Sequence, residues 1–199
     1  MTSDFFRVFV ALFVIIDPVG NILVFHLLTQ SMPRAKRLAV VAVAVAVAGA
    51  MLVLFSLSGQ RVLEFLGISQ PGFRVAAGLL LSLPAYELVT RGQLIESPNG
   101  GEVDPLQIGL VPMATPLLAG PGALAATISF SDSVGAPTTI AALLAVLLLC
   151  VAAFAAADWL FQHLGASLLR LLTRLVGILL FALATDFVLS GARVALFGG

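Results

Sequence analysis

The sequence predicts an all-α integral membrane protein that consists of six transmembrane helices and little else. Of its 199 residues, 60% are hydrophobic and only 10% are charged, and the mean hydropathy is +1.13. Soluble domains carry charge on about a quarter of their residues. Because water solvates such a weakly charged surface poorly, we expect the chain to sit in a lipid bilayer. The formal net charge is zero and there is no basic patch, which argues against nucleic acid as a partner.

The predicted spans follow from length, since a helix needs about 20 mostly apolar residues to cross a bilayer. Six stretches qualify: 5–29, 38–58, 72–90, 106–130, 137–158 and 168–195. The second alternates Val and Ala like a strand, but an unpaired strand cannot satisfy its backbone in hydrocarbon. As a helix it aligns Ala42, Ala46 and Ala50 on one face. This stripe suits close helix packing or is filler without a specific partner.

The chain is expected to form a single transmembrane domain, residues 1–199, made of two halves. A polar linker with proline and glycine, residues 91–105, separates three apolar stretches from three more. We therefore predict repeat one over 1–90 and repeat two over 106–199. Because each half contains an odd number of helices, the two repeats would cross the membrane in opposite senses. The third stretches also match, with Gly78 nine residues before Glu87 and Gly177 nine residues before Asp186.

Lys and Arg placement predicts the orientation. The first loop holds Arg34, Lys36 and Arg37, and Arg91 begins the linker. The positive-inside rule therefore places the linker in the cytoplasm and both termini outside. No cleaved signal peptide is expected, because residues 1–7 lack a basic region and no small-residue cleavage site follows.

The first helix of each half is expected to be broken. The first stretch contains Asp17-Pro18-Val19-Gly20-Asn21 and the fourth contains Ala119-Gly120-Pro121-Gly122. Proline removes a backbone donor and glycine loosens a helix. A simple proline kink explains either break alone. Two breaks at corresponding positions are instead typical of a transporter with its substrate site at the repeat interface.

Such breaks expose backbone groups that match a free amino acid. The N–H groups at the start of a half-helix suit a carboxylate, and the carbonyls at the end of another, helped by Asp17, suit an ammonium. Asp17 and Asp186 are the deepest acids, and a charge at that depth costs about 2.5–3.5 kcal/mol. Asp186 is a candidate for proton coupling, and an acid bonded to a neighbouring helix explains it at least as well. His26 likewise has two interpretations, as a proton carrier or as a polar group whose hydrogen bonds are satisfied within the protein.

We expect neither an enzyme nor a cofactor. His26 and His163 lack metal-ligand spacing, and the sequence contains no HExxH, GxSxG or nucleotide-binding GxxxxGK[ST] motif. Cys150 is the single cysteine, so a disulfide framework is excluded.

The motifs DPVGN at 17–21 and AGPGA at 119–123 make this chain similar to the MarC family of integral membrane proteins, which includes the SnatA-type transporters. Further matches lie at 66–69, 73–78, 111–112 and 174–177. The resemblance implies two inverted three-helix repeats in a bacterial or archaeal cytoplasmic (inner) membrane. It also implies a site between the two broken helices for glycine or alanine. Two positions depart from the family pattern: Leu23 stands where proline is usual, and Asp186 where an amide is usual.

The sequence thus predicts a secondary transporter of small neutral amino acids, with H+ as a candidate coupling ion. We assign substrate binding to residues 17–21 and 119–122. Besides the amino acid, the lipid bilayer is the expected partner. The alternatives are a passive channel, an exporter of another small solute, and an accessory membrane protein. Substrate, coupling ion and direction of transport stay open. The apolar surface is compatible with an oligomer and specifies none.

Overall fold

A computed structural model describes residues 2–91 and 104–197. Every element within these ranges is helical, although extended backbone at Val111 and Thr115 interrupts the segment Gly109–Leu118. The elements are α1 (Thr2–Ile16), α2 (Pro18–Thr29), α3 (Arg34–Phe65), α4 (Gln70–Arg91), α5 (Pro105–Ile108), a π-helical segment (Gly109–Leu118), α6 (Pro121–Val134), α7 (Ala136–Ala155) and α8 (Ala157–Phe197). The all-α prediction is therefore confirmed. Most of the predicted linker, residues 92–103, lies outside the described residues.

Four helical stretches in the described ranges are long and apolar enough to cross a bilayer. They are Ser3–His26, Arg34–Phe65, Ala136–Ala155 and Arg174–Phe197. They overlap the first, second, fifth and sixth predicted spans. The third predicted span falls on α4, and the fourth is divided among α5, the π-helical segment and α6. The count of six spans and the inverted relation of the two halves therefore remain predictions.

Helix α3 buries a different face from the one the alanine stripe suggested. Ala44 and Ala48 are fully buried, whereas Ala42, Ala46 and Ala50 are exposed. The prediction that this stripe packs closely against other helices of the chain is therefore wrong for the described residues. The physical reason is that lipid tails are as apolar as a protein core, so an apolar helix carries no polar face to show which side turns outward.

Helices α4 and α8 pack along each other through two glycines. A Cβ atom placed on Gly78 would lie 2.6 Å from the Ala184 carbonyl oxygen, and one on Gly191 would lie 2.8 Å from the Pro71 carbonyl oxygen. Side chains at these positions would collide with backbone rather than with a movable side chain. Glycine in both helices thus permits the backbones to approach closely at two levels.

The remaining helices enclose the two regions rich in proline and glycine. Helix α1 packs on α7, and α3 packs on both α7 and the π-helical segment. The largest fully buried side chains come from these elements and from α2; they include Leu12, Phe25, Leu52, Met113, Leu118 and Leu143. This core holds the junctions at Asp17 and Gly120 inside the protein.

Candidate functional site

Asp17 separates α1 from α2 and caps the second helix. Its backbone is left-handed (φ 51°, ψ 65°), a conformation that Asp and Asn adopt more readily than most residues. Its Oδ1 accepts a hydrogen bond of 2.8 Å from the Gly20 N–H. Pro18 occupies the first helical position, where its missing N–H costs nothing. Local chemistry therefore explains why α2 begins at this residue.

Asn21 satisfies the backbone carbonyl that this junction exposes. Its Nδ2 donates a hydrogen bond of 2.7 Å to the Ile16 carbonyl oxygen. Together with the cap on Gly20, this contact means that the chain itself uses two of the backbone groups expected to serve a ligand. The prediction that a substrate would occupy such groups is therefore wrong for the Gly20 N–H and the Ile16 carbonyl oxygen.

Two side-chain oxygens are left over. Asp17 Oδ2 and Asn21 Oδ1 are buried and have no hydrogen-bond partner among the described residues. The side chains are themselves buried, with Asp17 only 5% and Asn21 only 1% exposed. A buried acceptor without a partner is costly. The two oxygens are therefore suited to receive donors from a bound molecule.

The second junction presents the opposite polarity. Gly120 is extended (φ −74°, ψ 169°) and α6 begins with Pro121 at its first position, without any side-chain cap. The first N–H groups of a helix have no partner within the helix, and those of Gly122 and Ala123 have no hydrogen bond to an acceptor elsewhere in the described residues. The positive end of the helix dipole lies at the same place. The arrangement suits an anionic group such as a carboxylate.

One cavity of about 290 Å³ joins the two junctions. Its lining residues are Ile15, Ile16, Asp17, Asn21, Leu80, Leu81, Leu83, Glu87, Leu117, Gly120, Pro121, Gly122, Ala123 and Leu180. Of the predicted binding residues, Asp17, Asn21, Gly120, Pro121 and Gly122 therefore lie on its wall. Pro18, Val19, Gly20 and Ala119 do not line it and serve to shape the junctions.

Helix α4 supplies wall residues that the sequence analysis did not assign to the site. Leu81 lies against Gly122, since a Cβ on that glycine would be 2.5 Å from Leu81 Cδ1. Glu87 adds a second carboxyl group to the lining. Its spacing from Gly78 gave no signal of this, because Asp186, at the same spacing from Gly177, lies outside the cavity.

Asp186 lies elsewhere. It is exposed and belongs to a shallow groove between α1 and α8 whose wall also includes Arg7 and Phe6. It does not line the cavity that holds Asp17. A role for Asp186 in coupling thus stays a prediction, without support from proximity to the junctions.

A charged cluster connects α2, α3 and α8 near the end of α7. Arg37 donates hydrogen bonds to both carboxylate oxygens of Asp158, and His26 Nδ1 lies 3.3 Å from Asp158 Oδ1. The Arg37 guanidinium also lies 5.3 Å from the centre of the Phe25 ring, a ring stacked on Phe154. The cluster thus ties helices of the first half to the start of α8.

We expect this cluster to make the stability of the fold depend on pH. The hydrogen bonds from Arg37 hold the pKa of Asp158 below its usual value. A carboxyl group with a lowered folded-state pKa stabilises the fold above its unfolded pKa, and this contribution is lost as the pH falls through the folded value. Asp158→Asn should therefore lower the melting temperature at pH 7 by a few degrees. The difference from the parent protein should shrink as the pH falls below about 4, the usual pKa of an aspartate.

A thermal-denaturation series in detergent between pH 3 and pH 8 measures this effect. The effect is small because the Asp158 side chain is 53% exposed and water screens the pair. Asp132→Asn is the matched control, because Asp132 is exposed and bonded to Gln70 rather than to arginine. An equal loss in both variants at pH 7 would contradict the assignment.

The geometry defines a class of protein: a helical, multi-pass membrane protein with a largely apolar cavity that carries a few polar groups where two helix junctions meet. Within that class, the chain belongs to the MarC family of integral membrane proteins, whose family model matches residues 2–196.

The chain is similar to relatives in archaea and bacteria. It is 34% identical to UPF0056 membrane protein MJ1677 of Methanocaldococcus jannaschii, over 96% of this chain and 97% of that protein. It is 30% identical to UPF0056 membrane protein YhcE of Escherichia coli, over 95% of this chain and 92% of that protein. A UPF0056 membrane protein of Aquifex aeolicus is 29% identical, with coverages of 95% and 92%. No solved structure matches the chain.

Proposed function

We propose that this protein is a secondary transporter of small neutral amino acids, similar to glycine or alanine. One observation carries the proposal: a single cavity contains both buried, unpartnered oxygens and an uncapped helix N-terminus. Asp17 Oδ2 and Asn21 Oδ1 would accept hydrogen bonds from the ammonium. The open N–H groups of Gly122 and Ala123 would donate to the carboxylate. Each charge of the zwitterion thus has a complement.

The remaining walls argue for a small, uncharged side chain. Seven of the lining residues are Leu or Ile, and Lys and Arg do not occur among them. A charged side chain placed against the Leu and Ile walls would lose hydration. Glu87 could pair with a cationic side chain, so the exclusion is stronger for glutamate than for lysine. Space is limited as well, because 290 Å³ equals the volume of roughly ten water molecules at about 30 Å³ each. We therefore expect glycine and alanine to bind in preference to lysine or glutamate.

Counterflow tests the proposal and separates a carrier from a channel. Purified protein is reconstituted in liposomes that contain excess unlabelled glycine, and entry of labelled external glycine is followed over time. We expect a transient accumulation above equilibrium, because a carrier that returns loaded exchanges one molecule for another. External alanine should suppress the accumulation, and lysine or glutamate should not.

Two results would contradict the proposal. Entry that rises only to equilibrium, without an overshoot, would indicate a passive channel. Flat traces from folded, monodisperse protein would exclude glycine as a substrate. Liposomes that contain Gly122→Val protein provide the matched blank, since this residue lies on the cavity wall beside Leu81.

A further inference from the structure

A second, smaller cavity lies between α4, α6 and α8, next to the turn that connects α3 to α4. It has a volume of about 70 Å³. Its lining residues are Gln70, Pro71, Phe73, Arg74, Ala125, Ile128, Ser129, Ser190, Gly191 and Val194. None of them lines the larger cavity. The proposed site for the zwitterion therefore does not account for this cavity.

Arg74 is the charged residue in this wall, and its charge is not neutralised. Its Nε is buried and has no hydrogen-bond partner among the described residues, and no carboxylate in residues 2–91 and 104–197 forms an ion pair with it. Asp132, the acid on the neighbouring end of α6, is held by the Gln70 side-chain amide at 3.3 Å. The contact that Arg74 does make is with an aromatic face, 5.3 Å from the centre of the Phe187 ring.

This environment has the chemistry of a small-anion site. A guanidinium offers five donors in a planar fork that matches the two oxygens of a carboxylate. Ser129 adds a hydroxyl group from α6. The Ser190 hydroxyl of α8 donates to the Phe187 carbonyl oxygen at 3.4 Å and would have to turn to serve an anion. A partly buried cation without a counter-charge is costly, and an anion that binds beside it removes that cost. A volume of 70 Å³ accommodates a carboxylate group rather than a large ligand.

The two cavities lie at different levels along the helices that they share. Along α4, Arg74 precedes Glu87 of the larger cavity by thirteen residues, or about 20 Å at 1.5 Å per residue. Along α6, Ser129 follows Gly122 by seven residues, or about 10 Å. The contact of Leu81 with Gly122 lies beside the larger cavity, and Phe187 is buried beside Arg74. Packed side chains thus separate two polar sites that face the same three helices.

We propose that the Arg74 cavity is a second binding site, for the carboxylate of the transported amino acid, at the membrane face that carries the α3–α4 turn. The proposal rests on the proposed function for the identity of its ligand, and on Arg74 and the serines for the site itself. In the conformation described here a substrate carboxylate reaches Arg74 from that face. Opening of the packing between the cavities would transfer it to the N-terminus of α6.

Acetate is the probe for the site, because it carries the carboxylate without the ammonium. Thermal stabilisation of the purified, detergent-solubilised protein is measured as acetate replaces chloride at constant ionic strength. We expect Arg74→Gln to raise the acetate concentration for half-maximal stabilisation by about tenfold or more, since it removes a charge-assisted, bidentate contact. Ser129→Ala should raise it severalfold, and Arg74→Lys should lie between the parent and Arg74→Gln. Arg193→Gln, at an exposed arginine of α8, should leave it unchanged.

The outcomes are distinct from those of the counterflow test. No stabilisation of the parent protein by acetate, or an unchanged midpoint in both Arg74→Gln and Ser129→Ala, would overturn the proposal. Loss of the effect in Gly122→Val alone would place acetate in the larger cavity and would overturn it as well. A selective loss in the Arg74 and Ser129 variants would support the second site even if glycine gave flat counterflow traces. Glycine transport with a flat acetate response would remove only the second site.

Discussion

Gly122→Val should reduce the affinity for glycine by roughly 100-fold and abolish counterflow. A Cβ at this position would lie 2.5 Å from Leu81 Cδ1 and 3.1 Å from Leu81 Cγ, and Leu81 is itself only 5% exposed. Overpacking of this kind costs about 1–3 kcal/mol, and the added methyl groups would also fill the space beside the open N–H groups of α6. Isothermal titration of the purified protein with glycine measures the loss.

A compensating substitution distinguishes lost space from lost folding. Leu81→Ala removes the atoms with which the new side chain collides, so the double variant Leu81→Ala/Gly122→Ala should bind glycine more tightly than Gly122→Ala alone. A cooperative melting transition of Gly122→Val, even at a lowered temperature, would show that the fold is retained. Parent-like uptake by Gly122→Val would remove the start of α6 from the substrate site.

Asp17→Asn should lower the affinity for glycine by about 10- to 100-fold while it preserves the fold. Asparagine tolerates the left-handed backbone at this position, and its side-chain oxygen can still accept from the Gly20 N–H. The substitution therefore keeps the α2 cap and removes the charge that would face the ammonium. A hydrogen bond to a charged group contributes about 1.5–3 kcal/mol, which corresponds to the expected loss.

Asp132→Asn is the control for the change in formal charge, since Asp132 is exposed at the end of α6 and outside the larger cavity. It should bind glycine as the parent does. Equal affinities of Asp17→Asn and the parent would show that Asp17 serves the helix junction alone. A stronger perturbation is available at Gly20, where a Cβ would lie 2.1 Å from Asp17 Oδ2 and would displace the carboxyl group.

The ends of the helices at the site were within reach of sequence reasoning, because they depend on local chemistry. Proline at a first helical position, a capping aspartate and glycine beside it act over a few residues. They locate the C-terminal end of α1 and the starts of α2 and α6. That the protein's own side chains would bond to the backbone groups exposed at the junction was not predictable in this way. Asn21 bonding back to Ile16 depends on a rotamer that the sequence does not specify.

Features that depend on packing in an apolar solvent were out of reach. An apolar helix has no polar side to show its orientation, so the exposed stripe at Ala42 on α3 and the exposed position of Asp186 were both missed. The contribution of Leu81 and Glu87 to the cavity follows from where α4 lies against α6. Residues about 40 apart in the sequence meet there, and nothing local predicts that contact.

The glycine contacts between α4 and α8 limit the movements available to the molecule. With Gly78 seated on the Ala184 carbonyl and Gly191 on the Pro71 carbonyl, sliding one helix along the other would drive larger side chains into backbone. We therefore expect the two helices to move as one rigid body, while displacement occurs where this pair meets α1 and α6. Both cavities open on that boundary. Each half of the chain thus gives one helix to the moving unit, so the mobile and stationary parts would not coincide with the two halves of the sequence.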